Sequence, residues 1–343
     1  MVSQTQLQAP SHAGLATRSD PIETMRALAV ILLVSFHVIG SGPGSGLALD
    51  YPHALRLFAD SLIDLRMPLF AFIAGYVYAL RPVLRGHYRG FVLGKFQRLY
   101  VPGLVAALIF ACLSTGMGTA FARDTGDLWQ IAVLPYAHFW FLQAILVIFA
   151  GLGLFEWITG GRYVPGLFVL SLGLYLLMPG LVVNVMSVNA AFYLLPYLLL
   201  GLLCARHGDV VAHWAGPILL LAGLGVAVAG AMNVLQYLET GALSVERRDG
   251  QSLVLGLGLS TLLFLVLPRL SQIETLGPFA FTIYLYHVIF TAGAREMLEV
   301  AGIAPVQLMF VTGLAAGLFG PVLLHLAAER HPLTRRYMLG IKG

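Results

Sequence analysis

The chain has 343 residues, of which 59% are hydrophobic and only 10% charged, with a formal net charge of +4. A mean hydropathy of +0.85 leaves too few polar side chains to cover a water-exposed surface, so a soluble protein and a disordered one are both excluded. The basic excess, with a pI near 9.1, reads as loop charge on a polytopic membrane protein rather than as a nucleic-acid surface.

The first twenty residues are polar, and the apolar run begins only after Met25. No small-residue cleavage site follows it before the Gly/Ser/Pro loop at 40–46, which argues against a secretory signal. Residues 1–22 are therefore expected to form a cytoplasmic tail, 23–327 a membrane domain and 328–343 a basic cytoplasmic tail. A bilayer span needs about 20 mostly apolar residues. That rule predicts ten helices, over 23–40, 57–80, 97–115, 138–157, 164–183, 190–205, 215–236, 252–267, 279–295 and 305–327. The runs are continuous rather than alternating, so the fold class is an all-α membrane bundle and not a barrel. Cys112 and Cys204 fall within these runs, where no disulfide framework is needed.

Charge sets the orientation. With both termini cytoplasmic, the inner segments hold Arg18, Arg81, Arg85, Arg89, Lys95, Arg98, Arg162, Arg206, Arg269, Arg330, Arg335, Arg336 and Lys342, thirteen of the twenty Lys and Arg residues. Only Arg56, Arg123, Arg247, Arg248 and Arg295 fall outside. Cytoplasmic loops carry the Lys and Arg excess, so both ends are expected in the cytoplasm. No internal repeat is evident, which weighs against a transporter built from duplicated halves.

Ionisable residues inside spans are costly and mark candidate sites. In the first span Arg26 and His37 are eleven residues apart, which returns the helix to within about 20° and separates them by about 16 Å along the axis. They therefore share a face. Glu23 lies three residues before Arg26, the spacing of a neighbouring ion pair. The competing structural reading makes Arg26 an interfacial anchor and His37 a satisfied core histidine. A neutral histidine near pH 7 is also a competent base.

The second span carries Asp60, Asp64 and Arg66, with the two aspartates one turn apart; a structural ion-pair cluster explains them equally well. Pro68 and Gly75 in the same span point to a kinked, closely packed helix. Lys95 and Arg98 stand one turn apart at the mouth of the third span. Such a pair suits the phosphates of a nucleotide-like cofactor, and anionic lipid headgroups nearly as well. Farther along, 137–142 and 277–287 are aromatic clusters holding His138, Trp140, Tyr284 and His287, and aromatic belts account for much of this without function. No phosphate-binding glycine loop, zinc pattern or nucleophile elbow stands out, so no metal is expected.

Four of these segments, in this order, resemble acyltransferase family 3, a family of integral membrane acyltransferases with about ten spans. Arg26 to His37 matches its Arg–ten residues–His motif in the first helix. Met67–Tyr76 is similar to its second-helix signature, His138–Leu142 to its aromatic fourth-helix entry and Phe281–His287 to its late Tyr–Leu–His segment. Two positions depart from the pattern. Lys95 stands where the family often has the first of two arginines, which removes bidentate geometry there. Ala74 stands where it often has a serine.

The resemblance implies transfer of an acyl group, usually acetyl, from cytoplasmic acyl-CoA to a hydroxyl of a glycan or other envelope or secreted acceptor, in a bacterial inner membrane. His37 and Arg26 would then be catalytic. Arg26, Lys95 and Arg98 would hold acyl-CoA, and Glu23, Arg66, Trp140, Tyr284 and His287 would support the site. His37 could act as a general base or carry the acyl group covalently. The alternative class is a secondary transporter or a lipid or glycan flippase, equally at home with intramembrane charge.

Overall fold

The computed structural model describes residues 21–83, 87–177, 180 and 184–341. Most of the expected N-terminal tail, with Arg18, Arg85 and Lys342, lies outside these. In chain order the α-helices are α1 (Ile22–Ile39), α2 (Ala54–Ser61), α3 (Ile63–Leu80), α4 (Tyr88–Lys95), α5 (Val101–Gly116), α6 (Gln130–Val133), α7 (Trp140–Thr159) and α8 (Val164–Leu177). They continue with α9 (Val188–Arg206), α10 (Gly208–His213), α11 (Ala215–Thr240), α12 (Gly250–Val266), α13 (Ser271–Glu274), α14 (Ala280–Val300), α15 (Val306–Ala328) and α16 (Pro332–Tyr337). Among the described residues there is no strand.

Among the described residues eight helical segments are long and apolar enough to cross a bilayer, and two shorter apolar helices, α8 and α12, occupy the other two expected stretches. The chain is a polytopic helix bundle. Its outer surface says the same. α11 exposes Leu220, Leu221, Leu224, Val228, Leu235 and Leu238, an apolar face that water would not tolerate and lipid accepts.

The expected second span is broken. Leu62 leaves the helical region and separates α2 from α3, so Asp60 and Asp64 sit on different helices rather than one turn apart on one. Asp60 accepts from Arg56 at 2.6 Å and from the Tyr51 hydroxyl at 2.7 Å, while Arg56 also donates to the Gly40 carbonyl at 2.7 Å. α2 is thus fastened across the end of α1.

α3 runs on through Pro68 and packs against α9 at backbone contact. A methyl group at Gly75 would collide with the Leu198 carbonyl, and one at Gly201 with the Phe72 carbonyl. This reciprocal glycine pair is the small-residue packing that membranes favour where no hydrophobic force drives helices together. α1 leans on α3, α14 and α15, so the helix carrying Arg26 and His37 runs through the middle of the bundle. It ends at Gly40, whose φ of 99° only glycine adopts readily, packed against the backbone of Ser45 and Gly46.

Candidate active site

α1 points His37 inward, where three histidines from three parts of the chain meet. Ring centroids lie 4.6 Å apart for His37 and His287, 5.1 Å for His138 and His287, and 5.8 Å for His37 and His138. His287 comes from α14 and is fully buried; His138 comes from the turn leading into α7. Ala137, just before it, has φ 43°, a left-handed conformation that costs a non-glycine residue about 1–2 kcal/mol.

The hydrogen bonds assign the ring protons. Nδ1 of His287 lies 2.9 Å from the Ile283 carbonyl and 3.0 Å from that of Tyr284. Carbonyls only accept, so this nitrogen carries the proton, and the Nε2 of a neutral ring keeps its lone pair. Nδ1 of His37 lies 2.9 Å from the Leu33 carbonyl and 3.1 Å from His287 Nε2. It too is the protonated nitrogen, shared between those acceptors. The Nε2 of His37 is left bare, the nitrogen able to take a proton or attack a carbonyl carbon.

His37 is partly exposed and lines a cavity of about 840 Å³. Trp140, Tyr284 and Arg66 line it as well. The Tyr284 hydroxyl donates to the His138 carbonyl, which fixes the turn beside the site. The Arg66 guanidinium lies 3.4 Å from the centroid of the Phe36 ring, a cation–π contact that holds its plane. The walls come from the last turns of α1 and α5, the starts of α3 and α7, the 241–249 loop, α14 between Tyr284 and Glu299, and the start of α15. All of these lie at one end of the bundle.

The opposite end holds the other expected residues, but not together. Arg26 pairs with Glu23 at 2.9 Å, as their spacing predicts. Neither lines the histidine cavity. Arg98 lines a second cavity with Arg336, Tyr337 and Gln97. Lys95 does not join it; its ammonium lies 4.0 Å from the centroid of the Phe149 ring. Among the described residues no group of three or more His, Cys, Asp or Glu is arranged to hold a metal ion.

In the sequence Arg247, Arg295 and Arg336 read only as loop charge, and His138 as an aromatic-belt residue. Position signals two of these four: Arg295 and His138 each stand at the end of an apolar run that also carries a candidate residue.

Comparison with curated proteins and with solved structures finds no match. A family model described as an acyltransferase domain matches residues 21–326, a range that takes in the three histidines, Arg26 and the whole of the larger cavity. On that match the chain, a membrane acyltransferase by its apolar helices and its family, belongs to acyltransferase family 3.

Proposed function

We propose that the protein sits in a bacterial inner membrane with both termini in the cytoplasm and transfers an acetyl group from cytoplasmic acetyl-CoA to a hydroxyl of a cell-envelope glycan or secreted acceptor. The observation that carries this reading is the bare Nε2 of His37 beside a large cavity at the bundle end opposite Arg98 and Arg336. In the reaction the acceptor oxygen bonds to the acyl carbon and the carbon–sulfur bond of the thioester breaks. His37 Nε2 takes the hydroxyl proton and returns it to the departing sulfur. His287 accepts from Nδ1–H and so supports the charge that gathers on the ring, the part a carboxylate plays in a catalytic triad. Arg98 and Arg336 are the proposed contacts for the donor's phosphates. Arg26, held by Glu23, would stand between them and His37 along the donor's path.

The experiment is mass spectrometry of envelope glycans and secreted products from a deletion strain, with purified protein and labelled acetyl-CoA run in parallel. Loss of acetyl esters in the strain and acceptor-dependent release of free CoA in vitro support the reading. Unchanged esters and no CoA release overturn it.

A further inference from the structure

The cavity beside His37 carries positive charge that the protein balances only in part. Arg66 is 4% exposed, and its Nε and Nη1 are buried with no hydrogen-bond partner. A buried guanidinium donor without a partner bears the full desolvation penalty of that group. Arg247 reaches the same cavity from the 241–249 loop. Among the described residues neither arginine has an ion pair. Of the carboxylates nearby, Asp60 is engaged by Arg56 and Tyr51, Asp249 by the Ser252 N–H, and Glu296 and Glu299 by Arg295; Asp64 lies near both arginines but forms an ion pair with neither.

Two unpaired guanidinium groups in one partly enclosed space fit an anion that arrives with the substrate. We infer that Arg66 and Arg247 form an anion subsite for the acyl acceptor, receiving a carboxylate or phosphate group on the sugar so that a neighbouring hydroxyl meets His37. This rests on the acceptor reading of the cavity given above, and the acceptor class becomes an acidic saccharide: a uronate or a sugar phosphate. Held against Phe36, the Arg66 plane is fixed before the ligand arrives, which lowers the cost of ordering it.

The test uses the purified full chain and three probes, methyl β-glucoside, its uronate counterpart and its 6-phosphate. Affinity is measured by calorimetry, and labelled acetyl transfer to each probe is measured on the same preparations. The wild type is expected to bind the uronate, the phosphate or both at least about tenfold tighter than the glucoside, the scale of a lost charge-assisted bond. Whichever of the two gains identifies the anion. That advantage disappears in Arg66→Gln and in Arg247→Gln. Arg247 is half-buried on a loop, so its variant keeps the test decisive if Arg66→Gln fails to fold. Equal affinity for all three probes, or an advantage that survives Arg247→Gln, overturns the inference. Selective binding without acetyl transfer keeps the anion subsite and removes the enzyme reading. Transfer to the glucoside as readily as to the charged probes keeps the enzyme and removes the subsite.

Discussion

Nε2 of His287 stands 3.1 Å from Nδ1 of His37, joining residues 250 positions apart in the chain. The bond commits His37's protonated nitrogen to the bundle core and turns its free nitrogen out. His287→Ala removes the acceptor without touching the cavity wall. The rate of transfer should fall by about tenfold or more while acyl-CoA affinity holds, because only the base loses its orientation. His287→Asn, whose side-chain oxygen can still accept, should recover part of the rate. A purely structural role would instead lower the melting temperature and leave the per-molecule rate of folded protein unchanged.

The two cations at the third-helix mouth should behave differently. Arg98 lines a cavity with Arg336, so Arg98→Ala should weaken CoA binding by roughly 1–3 kcal/mol, the range for a charge-assisted hydrogen bond. Lys95 lies over Phe149, so Lys95→Ala should instead lower stability, by about 0.5–2 kcal/mol for a cation–π contact. Calorimetry with CoA and a thermal melt separate the two effects. Reversed effects would relocate the donor site to the Lys95 side.

Much of this is legible in the sequence, and for a physical reason. Bilayer thickness dictates span length, so the apolar runs mark the helices, and the helical repeat puts Arg26 and His37 on one face. The break at Leu62 is not read from the sequence because Asp60, Asp64 and Arg66 pass as intramembrane charges of one span rather than as the mark of its end. Asp60 pairs with Arg56 at i,i+4 spacing within α2, but the Arg56 bond to the Gly40 carbonyl, which fastens α2 across the end of α1, depends on how the two helices pack. Nor could spacing show that His287 bonds His37, that Lys95 turns to Phe149, or that Arg247 enters the cavity. Each of these is a contact between distant segments, set by packing rather than by period.

The glycine contacts between α3 and α9 should be stringent. Gly75→Ala and Gly201→Ala each place a methyl group against a carbonyl and should destabilise the protein by about 1–3 kcal/mol through overpacking. Gly223→Ala on α11, where a methyl meets nothing within 4 Å, should be neutral or gain up to about 1 kcal/mol from helix propensity. Thermal melts in one detergent compare the three directly. Equal shifts would show that the α3–α9 contact is not tight.

Topology is tested by reporter fusions. With the histidine cavity outside and both ends inside, a fusion after Gly46 should report an extracytoplasmic location and one at Gly343 a cytoplasmic one. The expectation follows from thirteen Lys and Arg residues falling inside against five outside. Matching signals at the two sites would contradict it.

In this mechanism the free nitrogen of His37 performs the transfer. His37→Gln keeps polarity and volume close to the original and removes the basic nitrogen, so fold and acyl-CoA affinity should persist. The decisive measurement is single-turnover acetyl transfer by purified His37→Gln protein saturated with labelled acetyl-CoA. A rate at least about a hundredfold below wild type, the lower scale of general-base catalysis, with CoA binding unchanged, is the predicted result. Transfer at a rate near wild type would make the histidine structural and contradict the mechanism.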